Sequence, residues 1–139
     1  MNRGPLARLL RRRTVESRAA RRSAQSAAAA LLAAETQAER LAGLRAGIVV
    51  PRGVQPACTV AQHGAACARL DRIEAAAQAR IAALTRQADD AAAAARLTQQ
   101  QADAVAEVCA RQAIDAAVKA ERRETEALST LARPLLLSD

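Results

Sequence analysis

Helix-breaking residues are gathered into one short stretch of this chain, and their placement limits its fold more than any other feature. Of five glycines, Gly43, Gly47, Gly53 and Gly64 fall between positions 43 and 64, together with Pro51 and Pro56. Proline removes a helical N–H and collides with the preceding turn, so Pro51 and Pro56 forbid a continuous helix there. Pro5 suits a first helical turn, and Pro134 closes the pattern at the far side. The spacing predicts a helix over about 5–46, a loop over about 47–60 and a helix over about 61–132, with no strand. At 1.5 Å per residue the helices would be roughly 60 Å and roughly 110 Å long. Two helices joined by a short connection fold back antiparallel. The expected fold is all-α: one domain over 1–139, a two-helix antiparallel coiled coil whose longer second helix overhangs at its C-terminal end.

What fills those helices argues against a compact enzyme. The chain is 51% hydrophobic, but alanine supplies 40 of its 139 residues and Phe, Tyr and Trp are absent. A globular core of normal density needs larger side chains between its layers. Alanine interleaved with Arg, Gln, Glu and Asp is the composition of a long helix or coiled coil.

The hairpin can be tested on the sequence. A heptad seam runs backwards from Ile48 through Leu41, Ala38, Ala34, Leu31, Ala27, Ala24, Ala20, Ser17, Arg13 and Leu10 to Leu6. Partners whose numbers add to 108 form a second seam from Val60 through Cys67, Leu70, Glu74, Ala77, Ile81 and Leu84 to Ala102. Large residues then face small ones, as interdigitating layers require. The same register sets Glu39 opposite Arg69, Glu35 opposite Arg72, and Arg18 opposite Asp89 and Asp90. Arg13 and Glu74 are the exceptions on the seam and are expected to bend toward solvent.

In that register Leu6 meets Ala102, leaving Asp103 to Ala132 without a partner. That stretch still carries Val105, Val108, Cys109, Ile114, Val118, Leu128 and Leu131, and an uncovered apolar stripe on a long helix marks a contact surface. An alanine seam buries little area, so the isolated hairpin should be marginally stable and work inside something larger.

Charge is concentrated at the start. The net charge is +7, from 21 basic and 14 acidic residues. Residues 1–22 hold eight arginines (Arg3, Arg8, Arg11, Arg12, Arg13, Arg18, Arg21 and Arg22) against Glu16 alone, which accounts for all of it. The remainder is neutral. Such a head could meet phosphates, but single-strand binding needs aromatic stacking platforms and duplex reading needs a defined recognition module. Leu6, Leu9 and Leu10 are its only large apolar side chains, with no Trp or Phe to anchor an interfacial membrane helix. An acidic protein surface is the better partner. The AAAALLAA run beside the arginines imitates a targeting segment, yet Glu16 interrupts the basic stretch and the helical pattern continues through Ala34.

No catalytic constellation is legible. The glycines lack the spacing and the following Lys-Ser/Thr of a phosphate loop. Cys58, Cys67 and Cys109 form neither a CxxC pair nor a metal spacing, and read as reduced thiols of a cytosolic protein. His63 reads as a solvated turn residue. Asp89 and Asp90, being adjacent, point to different sides of a helix. No catalytic residue, cofactor, metal or small-molecule substrate is expected.

The layout, a basic head on an antiparallel coiled coil with a Gly-containing turn and a longer second helix, resembles the FliJ family of flagellar export proteins. That family is related to the YscO-type stalk proteins of injectisomes. AGI at Ala46–Ile48 resembles the close of the family's first helix, and Ala68 to Gln112, with LDRIEAAAQARIAAL and AEVCARQ, resembles its second. AERRETEALSTLARP, Ala120–Pro134, is similar to its charged terminal segment. The resemblance implies a non-enzymatic stalk of the flagellar type III protein export apparatus, serving flagellum biogenesis and motility. The free ends would enter the pore of a hexameric export ATPase, and the turn would touch a membrane-embedded export gate. Export chaperones are further implied partners, and the location would be cytoplasmic, peripheral at the inner membrane. Arg8, Arg11, Arg12, Arg13, Arg18, Arg122, Arg123, Leu128 and Leu131 would serve the ATPase end; Leu32, Leu41, Leu70 and Ile73 the gate. Family members carry aromatics around the turn where this chain offers aliphatic residues, so an implied gate contact is aliphatic. A generic coiled-coil adaptor is the alternative, followed by a basic nucleic-acid or membrane-surface binder.

Overall fold

The computed structural model describes residues 4–48 and 52–132, with the side chains of 131 and 132 outside that description. The chain is all-α, a two-helix hairpin: α1 runs Pro5–Ala46 and α2 Ala57–Ala132, with no strand among the described residues. The first start is capped as the sequence leads one to expect. Pro5 takes the first helical position, where a missing N–H costs nothing, and the Gly4 carbonyl accepts from the amides of Ala7 and Arg8. α1 closes with the Gly47 amide donating to Gly43 O and the Ile48 amide to Arg45 O.

α2 begins four residues earlier than the spacing predicts. The carbonyl of Pro56 accepts from the amides of Thr59 and Val60, so this proline opens a helix instead of only ending one. Gly64 sits inside α2, where a single glycine costs about 1 kcal/mol and does not break a long helix. The sharp backbone is left to Gly53, whose φ of 132° lies in the region glycine alone adopts readily.

Two compact units divide the described chain, and both helices contribute to each. The turn unit is Arg18–Arg96; the terminal unit comprises Met1–Ser17 and Leu97–Asp139.

In the turn unit the less exposed residues of α1 are Ala20, Ala24, Ala27, Leu31, Ala34, Ala38 and Leu41, with Thr36 beside them, and Ile48 follows just past its end. Those of α2 recur at alternating steps of three and four from Cys67 through Leu70, Glu74, Ala77, Ile81, Leu84, Ala88 and Ala91 to Ala95. This is the expected seam, in a different register. Arg45 reaches Asp71 at 2.8 Å and also pairs with Glu74. One shallow depression is walled by Ala38, Leu41 and Ala42 with Glu74, Ala77 and Gln78; another by Arg45 and Ile48 with Cys67 and Leu70. Their facing numbers add to about 115, one heptad beyond 108. The ion pairs expected from the lower sum, Glu39–Arg69, Glu35–Arg72 and Arg18 with Asp89 or Asp90, are not those that form. The slip also lets α2 run past α1 at the turn. Residues 57–66 lie ahead of the first paired position, and Val60, placed on the seam by the lower sum, is 60% exposed.

In the terminal unit the same offset recurs. Ser17, only 3% exposed, donates to Gln99 Oε1 at 2.7 Å, and Arg13 donates to Gln101 Oε1 at 3.0 Å. These pairs add to 116 and 114. Leu6 and Leu10 of α1 and Thr98, Ala102, Val105 and Cys109 of α2 complete the covered positions of the seam. From Ala110 to Thr130 every residue is exposed. The overhang therefore begins at Ala110, not Asp103, and Val105 and Cys109 belong to the seam.

Arg13 and Glu74 do not bend toward solvent. Arg13 spans to Gln101 of the opposite helix, and Glu74 receives Arg45. A long polar side chain on an alanine seam has room to reach across to a partner, which satisfies the group without burying it fully.

Candidate functional site

The turn unit offers apolar surface around its connection. Leu44 is 65% exposed, Ile73 49%, and Val54 lies fully in solvent, with Val60 exposed as well. Of the four residues assigned to an export gate, Ile73 and Leu32 are free. Leu41 and Leu70 are not: both are half-buried in the seam walls described above. Leu32 stands fourteen residues before the end of α1, roughly 20 Å along the helix, so it does not belong to the turn. Val54 and Val60 escape sequence reasoning because the predicted register places Val60 on the seam and the loop reads only as punctuation. The available signal is an apolar residue directly after Gly53, where a solvated loop favours polar ones.

Arg45 anchors this region. Hydrogen bonding to Glu74, with the added charge of Asp71, raises its already high pKa further, so it stays a fixed cation between two carboxylates of α2. His63 is not the solvated residue expected. It is half-buried in the second turn of α2, and its Nε2 is covered without a hydrogen-bond partner.

Arginines of the terminal unit fall into two kinds. Arg12 donates through Nε to Glu16 Oε1 at 2.8 Å, and Arg13 through Nη1 to Glu16 Oε2 at 3.0 Å. The Arg12 hydrogen bond, opposed by desolvation and aided by Arg13, holds Glu16 below the usual carboxylate range. Arg8 and Arg11 are exposed on the face away from the seam and have no ion-pair partner among the described residues; next in line is Val15, which is 62% exposed. A charge free of internal partners is the one available to an external acid.

Arg122, Arg123 and Leu128 are exposed on the overhang. Arg122 lies thirteen residues past Cys109, the last covered position, which is roughly 20 Å along α2. The structure thus sets Arg8 and Arg11 on the outer face of α1, keeps Arg13 on the seam with Arg12 beside Glu16, and leaves Arg122, Arg123 and Leu128 at a separate place. Arg18 belongs to the turn unit, where it is exposed. Leu131 falls in the last turn of α2, and its side chain lies outside the described residues.

Among the described residues no group of three or more His, Cys, Asp or Glu is placed to hold a metal ion. All three cysteines are free thiols. No helix among them is long and apolar enough to cross a membrane. What the arrangement can do is present charge and apolar side chains on paired and unpaired helix. That defines a class, the antiparallel helical hairpin with an overhanging arm. Comparison with protein families, with curated proteins and with solved structures finds no match.

Proposed function

We propose that this chain is a non-enzymatic stalk of the FliJ type, coupling a hexameric export ATPase to an export gate at the cytoplasmic face of the inner membrane, with export chaperones as further partners. The observation that carries the reading is the pairing of a helical hairpin with an unpaired C-terminal arm, next to arginines that no acid among the described residues neutralises. A hairpin is stiff against bending, and a lone exposed helix is narrow enough to enter a ring. Arg8 and Arg11 suit an acidic lining, with Arg122, Arg123 and Leu128 acting from the arm. At the turn, Leu44, Val54, Val60 and Ile73 are better placed than Leu41 and Leu70 to meet an apolar gate surface.

The test is stimulation of the partner ATPase. Arg8→Glu combined with Arg11→Glu should reduce it at least tenfold while far-ultraviolet circular dichroism stays unchanged, because neither side chain supports the hairpin. Arg12→Glu should act mainly through lost pairing with Glu16. Unchanged stimulation in the double variant would reject the arginine head as the ATPase contact. Retention on DNA at physiological salt, falling steeply as salt rises, would favour the nucleic-acid alternative instead.

A further inference from the structure

The overhang has a face of its own, distinct from the hairpin seam. Ile114 is 63% exposed, Val118 42% and Leu128 68%. They share one stripe with Arg111, Glu121 and Thr125, at alternating steps of three and four. On this stripe Val118, Glu121, Arg122 and Thr125, at i, i+3, i+4 and i+7, wall a depression of about 350 Å³ whose far rim is Glu126. Four residues at that spacing are the acceptor that a coiled coil offers to a side chain of a facing helix.

We propose that this hole is filled by Val118 of a second copy of the chain, the two overhangs pairing antiparallel about a two-fold axis. The charge order selects that partner and that direction. At the edge of the stripe Asp115 and Arg122 stand seven residues apart, negative then positive, with Lys119 further round the helix. Reversed, the same order meets itself with opposite signs. With Val118 seated in the hole, Asp115 of each copy lies opposite Arg122 of the other, giving two equivalent ion pairs. Among the described residues of one chain neither Asp115 nor Arg122 has an ion-pair partner. A parallel pair would set Asp115 beside Ala110 and Arg122 beside Ala117, and leave both charges unmet. Arg111 is already held at its head by Glu107, which leaves its aliphatic stem to cover Leu128 of the other copy. Ile114 then faces Thr125.

The interface is isologous and closes on itself, so it yields a dimer and not a fibre. Glu121 in a central layer keeps it weak and reversible. The pairing rests on the overhang alone and does not depend on the export reading, though it covers Arg122 and Leu128 and would compete with any ring that takes the same arm.

Sedimentation equilibrium of the full chain over a range of concentrations tests it. The wild type should pass from monomer to dimer as concentration rises. Asp115→Arg and Arg122→Asp, each alone, should raise the dissociation constant at least tenfold with helicity unchanged. An equimolar mixture of the two variants should regain dimers. One copy then carries two positive charges at positions 115 and 122 and the other two negative ones, so both cross-helix pairs are restored. A wild type that stays monomeric throughout would overturn the proposal. So would single variants that dimerise as well as the wild type, or a mixture that gains nothing.

Discussion

The turn unit and the covered part of the terminal unit are built on one seam spacing and filled with different chemistry. In the turn unit the covered positions are mainly alanine with Leu31, Leu41, Leu70, Ile81 and Leu84 set among them. Near the terminus the layers are closed by Ser17 with Gln99 and by Arg13 with Gln101. Apolar layers supply attraction but little direction, since dispersion and burial have no angular preference. Polar layers supply little net energy but tolerate one alignment only, because a donor shifted by a heptad loses its acceptor. The turn unit thus provides most of the adhesion, while register is fixed by polar contacts in both units, Arg45 with Asp71 and Glu74 in one and Ser17 and Arg13 with glutamines in the other.

That division can be broken most completely by a covalent test in the turn unit. Ile48 and Cys67 wall the same depression, so Ile48→Cys in a Cys58→Ser background should form an intramolecular disulfide with Cys67 under mild oxidation. Leu41→Cys in the same background should not. The readout is non-reducing electrophoresis with mass spectrometry of the linked peptides. Efficient linkage of Leu41→Cys would restore the register one heptad lower and remove the comparison's basis.

The same test explains what is legible. Every position of the first seam, from Leu6 to Ile48, is covered, and on α2 the spacing holds from Cys67 to Ala102. Apolar residues at steps of three and four are visible in a sequence because they reflect one helix at a time. Register is a property of two helices. Sliding this pair by a heptad exchanges large-against-small layers, such as Leu31 with Ala77 and Ala27 with Ile81, for like-against-like ones, Leu31 with Leu84 and Ala27 with Ala88, so the size-matching rule points to 108 and the structure goes against it. What selects 115 is a handful of long polar side chains, Arg13, Arg45, Glu74, Gln99 and Gln101, whose reach no periodicity records. Site residues follow the same logic: Leu41 and Leu70 already stand on the seams that the spacing predicts, and the structure half-buries both, while Val60 becomes visible only once the register is seen.

Next in size is the adhesive layer. Leu84→Ala should lower stability by about 1–2 kcal/mol, less than the roughly 2–5 kcal/mol of a fully buried leucine because the side chain is half-covered. Thermal and urea unfolding would measure it, and a loss within error would mean that alanine contacts carry the turn unit unaided. In the polar layer Ser17→Ala should cost about 1 kcal/mol, since it removes the donor to Gln99 without leaving a cavity. Its distinguishing effect is on alignment. Spin labels replacing Leu9 and Val108, both exposed, should report one distance in the wild type and a broadened distribution in Ser17→Ala.

The smallest effect concerns pH, and it separates pairing within α1 from pairing across the seam. Arg12, then Arg13, holds the folded Glu16 below its ordinary value near 4.5. The carboxylate is therefore favoured by folding, and its contribution is fully present above the unfolded pKa. As pH falls through the folded value both states become protonated and the contribution is lost. Thermal melts of the wild type and Glu16→Gln should differ in favour of the wild type at neutral pH, converge below about 4.5 and coincide once Glu16 is neutral. Ser17→Ala, measured over the same range, should show a pH-independent deficit, because neither its hydroxyl nor Gln99 titrates there. A Glu16→Gln difference that persisted in acid would mean that the residue acts by packing, and that charge on α1 contributes nothing to holding the terminal unit.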